Sequence, residues 1–280
     1  MAAGTPLNRL VLVARSVADD LGYAALADVA RALEGVTGDY RIIGGHMVTM
    51  LAARWQLGAE LYRETDDVDL GVPPVVARNC GVVGRLREFN YEQVAGNRFA
   101  RPLSDIPAGL SDKAAAHLPE AIIDVLIPAY TSRARENVAV GEDLFTTEVP
   151  GLSIALNRSP VELRLDPRRL NGETQQVSLL FPDEVSALVL KSLATKGRHK
   201  DTDVTDIWRC LEIAFAVGVT PADFRGGIKA ESAARIRDLF SSRRSPGMIN
   251  LAAGLRLPAK AADERFTRIR ALIDRILGAA

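Results

Sequence analysis

Cysteine is nearly absent. Cys80 and Cys210 are the two in 280 residues, far apart, with no CxxC and no histidine at metal-ligand spacing. Neither a zinc centre nor a disulfide framework is supported by that usage, which fits a reducing compartment, most simply the cytoplasm. Long apolar runs are missing too. Near the N-terminus only Leu10–Ala14 is continuously apolar before Arg15 interrupts it. That is too short for a signal-peptide core, and nothing approaches the roughly 18 apolar residues of a membrane span. No membrane partner is therefore expected. Net charge is also lacking, because 35 Lys+Arg cancel 35 Asp+Glu. Neutrality argues against a protein that coats nucleic acid by bulk electrostatics. Repeats and low-complexity tracts are not evident.

What is present is an ordinary globular composition, 48% hydrophobic and 25% charged, enough for a sizeable core. At roughly 100–200 residues per domain the chain makes one large domain or two modest ones. Leu7 to Leu33 reads as helical, with Leu10, Val13, Val17 and Leu21 stepping at three and four. Tyr40–Ile43 reads as a short strand running into Gly44 and Gly45, followed by a helix over 46–57. Thr65–Val72 is a second expected strand, stopped by Pro73 and Pro74. A helix is expected around Val75–Phe89, an extended stretch over Tyr91–Leu103, and a strongly apolar strand over Ala121–Ile127. Residues 152–165 and 174–181 carry weaker strand patterns. After Pro182 the text becomes helical, with helices expected at Asp183–Lys196 and Asp206–Val217 and mostly helix beyond. The reading is α+β: a mixed sheet flanked by helices over 1–180, then a helical part over 181–280.

The zero charge conceals a division. Residues 221–280 hold 12 Lys/Arg and 6 Asp/Glu, so the remainder is acidic by the same margin. Lys191, Lys196, Arg198 and Lys200 add a short run without an acid. A solvated helical face is the ordinary explanation, yet an enzyme facing a polyanion would show the same asymmetry.

Asp67 and Asp69 are the most informative residues. An Asp-x-Asp pair arises by chance about once in a chain with 20 Asp, and Asp201/Asp203 is another; context raises the first. On a strand, Asp67 and Asp69 share one face while Val68 and Leu70 take the other. Adjacent carboxylates repel unless a cation lies between them, and hard oxygen donors suit Mg²⁺. Gly44 and Gly45 end a strand and open a helix, so phosphate oxygens could approach backbone N–H groups at its positive end. A phosphate cradle facing a carboxylate pair is what phosphoryl or nucleotidyl transfer needs. Asp124 sits inside an apolar strand, where a lone carboxylate must be paired, hydrogen-bonded or functional. Arg63 could touch phosphate or pair with Glu64 or Asp66, Thr65 could simply favour the strand, and Asp66 points away from Asp67.

Gly44-Gly45-His46, then Arg63, Thr65, Asp67, Asp69 and Leu70, then Ile123–Val125, resemble the minimal nucleotidyltransferases of the DNA polymerase β superfamily over about 85 residues. The resemblance implies metal binding by Asp67, Asp69 and Asp124, with Mg²⁺ or Mn²⁺, and nucleotide binding around Gly44, Gly45, His46, Arg63 and Thr65. His46 departs from the family's usual serine. Further on, Phe181–Glu184, Lys191, Arg198, Lys200 and the stretch to Asp206 are similar to the AbiEii/MenT-type toxins. In that group a helical lysine and a downstream aspartate complete the active site. Lys191 matches the lysine; the aspartate is Asp203 or Asp206, with Asp206 the expected choice. Asp203 as N-cap with Asp206 three positions on would equally make a capping-box-like helix start.

The implied function is NMP transfer from an NTP to an acceptor hydroxyl, in a toxin opposed by an antitoxin protein, with tRNA 3′ ends as acceptor. A protein or antibiotic acceptor needs the same core chemistry. A catalytically silent nucleotide- or partner-binding protein is the rival from another class, and the intact Asp67, Asp69 and Asp124 argue against it.

Overall fold

The computed structural model describes residues 5–36, 39–79, 81–107, 118–131, 133–196 and 201–279. Cys80, Arg198 and Lys200, named above, lie outside them.

The chain opens on strand β1 (Arg9–Val13), not on a helix. Its alternate residues Leu10 and Leu12 are buried while Val11 and Val13 are exposed, the period of two that outweighs the apparent helical stepping. Helix α1 (Val17–Ala32) starts only at Ser16, whose hydroxyl accepts from the Asp19 N–H at 3.3 Å. Strand β2 (Arg41–Ile42) leads into α2 (Gly44–Arg54), and β3 (Asp67–Gly71) follows. The helix expected over Val75–Phe89 is two helices, α3 (Pro74–Asn79) and α4 (Val82–Glu88), the second entered through left-handed Gly81. Strands β4 (Glu92–Gln93), β5 (Arg98–Pro102) and β6 (Glu120–Ala129) come next, with the short β7 (Val138–Val140), β8 (Leu144–Thr146) and β9 (Glu148–Pro150). Leu152–Asn157, read above as extended, is helix α5, begun by left-handed Gly151 with Leu152 and Ala155 buried on one side. Strands β10 (Val161–Arg168) and β11 (Val177–Phe181) complete the β part.

Beyond Phe181 the described elements are helical: α6 (Glu184–Ala194), α7 (Asp201–Ala216), α8 (Gly227–Leu239), α9 (Pro246–Gly254) and α10 (Ala259–Leu277). The Asp183 carboxylate caps α6 by accepting from the Ser186 N–H at 2.8 Å. Helix α7 begins earlier than expected, at Asp201, because its buried stripe already includes Val204 and two acids suit its first turn. Asp203 and Asp206 are therefore inside the helix, and neither opens it.

The architecture is α+β, with a mixed principal sheet and a helical C-terminal part. The principal sheet runs β2-β3-β6-β5-β4, with β9 alongside β6. β3 is parallel to β6, and β5 is antiparallel to it. A second sheet, β1-β10-β11, pairs β1 parallel and β11 antiparallel to β10. The apolar core crosses the strand-to-helix change at Phe181: Met47, Met50 and Leu51 of α2 and Leu188 and Leu190 of α6 belong to one buried cluster. Trp55 Nε1 also donates to Glu184 at 2.6 Å across that change. No helix among the described residues is long and apolar enough to cross a membrane.

Gly22 marks where α1 meets the loop before β3. A Cβ there would run into the Thr65 carbonyl oxygen and lie 2.7 Å from His46 Nε2. Overpacking of this kind costs roughly 1–3 kcal/mol. Gly22→Ala is expected to lower the unfolding free energy by that amount, read as a lower urea midpoint with no change in slope; an unchanged midpoint would show that α1 can move away freely.

Candidate active site

The β3–β6 register assembles the site. Asp69 lies directly opposite Asp124, and Asp67 opposite Ile122, so the three carboxylates share one face of adjacent parallel strands. Val68, Leu70, Ile123 and Val125 are buried on the other face. Across β6, Arg98 of β5 is the register partner of Asp124. Its Nε donates to Asp124 Oδ1 at 3.0 Å and its Nη2 to Oδ2 at 2.7 Å. Asn97 Nδ2 adds a third bond to Oδ1 at 3.2 Å. Arg98 also stands 3.7 Å from Asp67 Oδ2.

Helix α2 closes one side. Gly44 has φ +67°, and a Cβ there would run into the Asp69 carboxylate. A Cβ on Gly45 would run into Thr65 Oγ1 and stand 2.8 Å from the Arg63 guanidinium. Glycine at both positions brings the first turn of α2 against β3, with no side chain between.

The opposite wall comes from α6 and α7. Asp206 is fully buried and holds three cations: Arg63 Nη1 at 2.6 Å, Lys191 Nζ at 2.8 Å and Arg209 Nη1 at 3.0 Å. Burial alone would push the Asp206 carboxyl upward, but Lys191 and Arg63 outweigh it and hold the group below its ordinary range. Arg63 thus pairs with a residue 143 positions away rather than with its neighbours Glu64 or Asp66.

These walls enclose a cavity of about 1110 Å³, ample for a nucleotide. Gly44, Gly45, Arg63, Asp67, Asp69, Asp124 and Lys191 line it, as do Asn97, Arg98 and Asp203. Three residues expected at the site are not among those lining the cavity. Asp206 sits behind Lys191 and Arg63 as their counter-ion. His46 is buried beside Gly22 of α1, its Nε2 without a hydrogen-bond partner among the described residues. Thr65 is buried against Gly45. Of the basic 221–280 segment, Arg235 reaches the cavity. Others are engaged within the helical part, such as Arg268 with Glu212 at 2.6 Å and Arg243 with Asp263 at 2.8 Å.

Among the described residues no group of three or more His, Cys, Asp or Glu is placed to hold a metal ion; carboxylate oxygens such as those of Asp67, Asp69 and Asp124 are the donor type a hard divalent cation takes. Burial, then the neighbouring carboxylates Asp66 and Asp124, raise the Asp67 carboxyl above its ordinary value. A bound cation would relieve both repulsions. Asp67 and Asp69 are the pair that would hold it, and the Asp124 oxygens accept from Arg98 and Asn97. Arg98 and Asn97 were not legible as site residues: the only available signal was an arginine in an extended stretch, and strand register brings it to Asp124.

No family model matches the chain, and no curated protein matches it. It is similar to a solved structure described as an antigenic nucleotidyltransferase-like protein from Paracoccidioides brasiliensis. The two are 17% identical with a TM-score of 0.42, over 88% of this chain and 97% of that one. So distant a likeness carries no argument about this chain.

Proposed function

We propose that this protein is a metal-dependent nucleotidyltransferase that moves an NMP from an NTP to an acceptor hydroxyl and releases pyrophosphate. The observation that carries the reading is the seam of Asp67, Asp69 and Asp124 on one sheet face, closed by the glycine start of α2 and opposed by Lys191 across one cavity. Asp67 and Asp69 would hold Mg²⁺ or Mn²⁺, which would supply charge neutralisation and alignment of the triphosphate. The first turn of α2, free of side chains at Gly44 and Gly45, offers backbone N–H groups to phosphate oxygens. Lys191 and Arg63 set positive charge against the departing pyrophosphate. The acceptor oxygen bonds to the α-phosphorus as the bond from that phosphorus to the pyrophosphate oxygen breaks. Asp124, held in place by Arg98 and Asn97, orients the acceptor hydroxyl and takes its proton.

The toxin reading rests on the resemblance around Lys191 and Asp206, together with their 2.8 Å pairing. It brings an antitoxin partner with it. A tRNA 3′ end is the favoured acceptor, because Arg133, Lys196 and Arg235 along the cavity suit a phosphate-rich chain. The test is incubation with each labelled NTP, Mg²⁺ and total RNA, alongside Asp67→Ala. Label should appear on RNA and fall by about 100-fold or more in the variant. Absence of transfer to RNA, protein or aminoglycosides with every NTP would leave the silent-binder reading standing.

A further inference from the structure

The cavity changes character along the strands. Around the glycine turn of α2 it is cationic, with Arg63 beside Gly45 and Lys191 joined to Arg63 through Asp206. Past Asp124 its walls turn apolar. Leu126 follows Asp124 by two positions on β6 and shares its face, about 7 Å further along at the rise of a strand. Val149 of β9 is the register partner of Pro128, which belongs to that face too, so it continues the sheet wall. The other wall is α6, the helix that carries Lys191. Its Leu190 and Ala194 lie one turn apart on one side and border the same cavity. Sheet and helix converge just beyond, where a Cβ on Gly151 would stand 3.1 Å from Val189 and 3.3 Å from Leu193. Leu190 is buried, whereas Ala194, the smallest of the four wall side chains, is half-buried.

From this geometry we infer that the apolar slot takes the nucleobase of the NTP, held by its faces between sheet and helix, and that Ala194 sets the room for it. This assignment rests on the nucleotidyl-transfer reading proposed above. A nucleoside triphosphate carries phosphates and a flat base at opposite ends of a ribose. The cavity offers cationic groups and an apolar slot in the same order, with Asp124 between them. Aliphatic walls suit the faces of a base, which shed water on entry. A phosphate would lose its hydration there without compensation, so the slot does not compete for the triphosphate or for the backbone of a polyanion. Contact through faces is tolerant, because every base presents one. Purines and pyrimidines are therefore both admitted, and the size of residue 194 decides how large a base fits.

The experiment is equilibrium binding of ATP, CTP and inorganic tripolyphosphate to the full chain without acceptor, in a buffer containing Mg²⁺, with circular dichroism to check folding. Both NTPs should bind wild type about tenfold or more tighter than tripolyphosphate, the effect of burying roughly 60 Å² of base. Ala194→Leu, which extends a larger side chain into the slot, should remove that advantage, more for ATP than for CTP. Tripolyphosphate should stay within about twofold of its wild-type affinity, because the slot makes no contact with phosphate. Val149→Ala, which thins the sheet wall, should weaken both NTPs by about threefold and leave tripolyphosphate unchanged. NTPs no tighter than tripolyphosphate on wild type, or a folded Ala194→Leu that weakens tripolyphosphate as much as the NTPs, would overturn the inference and leave the nucleotidyl-transfer reading intact. Unchanged NTP binding in Ala194→Leu would overturn it as well, and a fall in RNA labelling by that variant would then give the slot to the acceptor. No binding of NTP or tripolyphosphate to wild type would overturn both. Should Ala194→Leu fail to fold, the wild-type comparison and Val149→Ala still decide.

Discussion

Asp206→Ala is expected to destabilise the protein by about 3–5 kcal/mol, the range for breaking a buried ion pair by removing one partner. Asp206 is fully buried and pairs with Arg63, Lys191 and Arg209. Deleting it leaves three cations facing one another in a poorly solvated place. Arg209 would suffer most, because it is itself buried and among the described residues would keep the Tyr62 carbonyl, 3.2 Å from its Nη2, as its partner. The three cations come from different parts of the chain, so the single carboxylate ties the approach to β3, helix α6 and helix α7 together. Adding Lys191→Met to Asp206→Ala should recover about 1–3 kcal/mol, since it removes one of the stranded charges. Urea unfolding followed by circular dichroism measures both. A single variant within about 1 kcal/mol of wild type would show that water in the cavity already solvates these cations. The same geometry separates roles. Lys191 faces the cavity, so Lys191→Met should abolish transfer in a folded protein, whereas Asp206 acts on substrate only by positioning Lys191 and Arg63.

That pairing shows where sequence reading reached and where it stopped. The alternation of Asp67 and Asp69 with Val68 and Leu70 was legible, because a strand's period of two puts carboxylates and apolar side chains on opposite faces whatever the strand pairs with. Gly44 and Gly45 were legible as a strand-to-helix turn, and Asp124 as an acid whose burial needed a partner. The identity of that partner was not. Arg98 reaches Asp124 through an antiparallel register, and Arg63 reaches Asp206 across 143 positions; pairing is a property of the assembled sheet and helices and leaves no local pattern. His46, implied at the nucleotide by the resemblance alone, is packed away from it for a related reason: one further step around α2 turns its ring toward Gly22 of α1. The fold errors were errors of period. Arg9–Val13 satisfied a helical spacing at a few positions while alternating strictly, and Leu152–Asn157 was too short for its helical stripe to stand out from a strand. The early start of α7 at Asp201 was hidden because Asp203 and Asp206 imitate a capping box. A polar residue at a helix start and one that neutralises a buried cluster look the same until the neighbouring helix is placed.

The buried His46 makes a second large effect expected, a loss of stability on mild acidification. Burial, and then the charge of Arg63, push its imidazole down to about 3. In the unfolded chain the same group titrates near 6.5. Above that value both states are neutral and the histidine contributes nothing to the pH dependence. As pH falls below about 6.5 the unfolded state takes up a proton that the folded state refuses, so stability declines until pH nears the folded value. At about 1.36 kcal/mol per pH unit, the loss reaches about 2 kcal/mol at pH 5. The Asp206 carboxylate, held low by its cations, works in a separate window: its contribution is present above the ordinary carboxylate range and is lost only below about pH 4. Two other histidines, His117 and His199, lie outside the described residues, so the comparison must be with a variant. His46→Asn places a smaller group that does not titrate beside Gly22. Urea unfolding of both proteins at pH 8, 6.5 and 5 should show wild type losing about 2 kcal/mol more than the variant across that range. Equal losses would mean that the ring finds a partner or solvent when protonated, and that α1 and α2 are less tightly joined at Gly22 than their packing indicates.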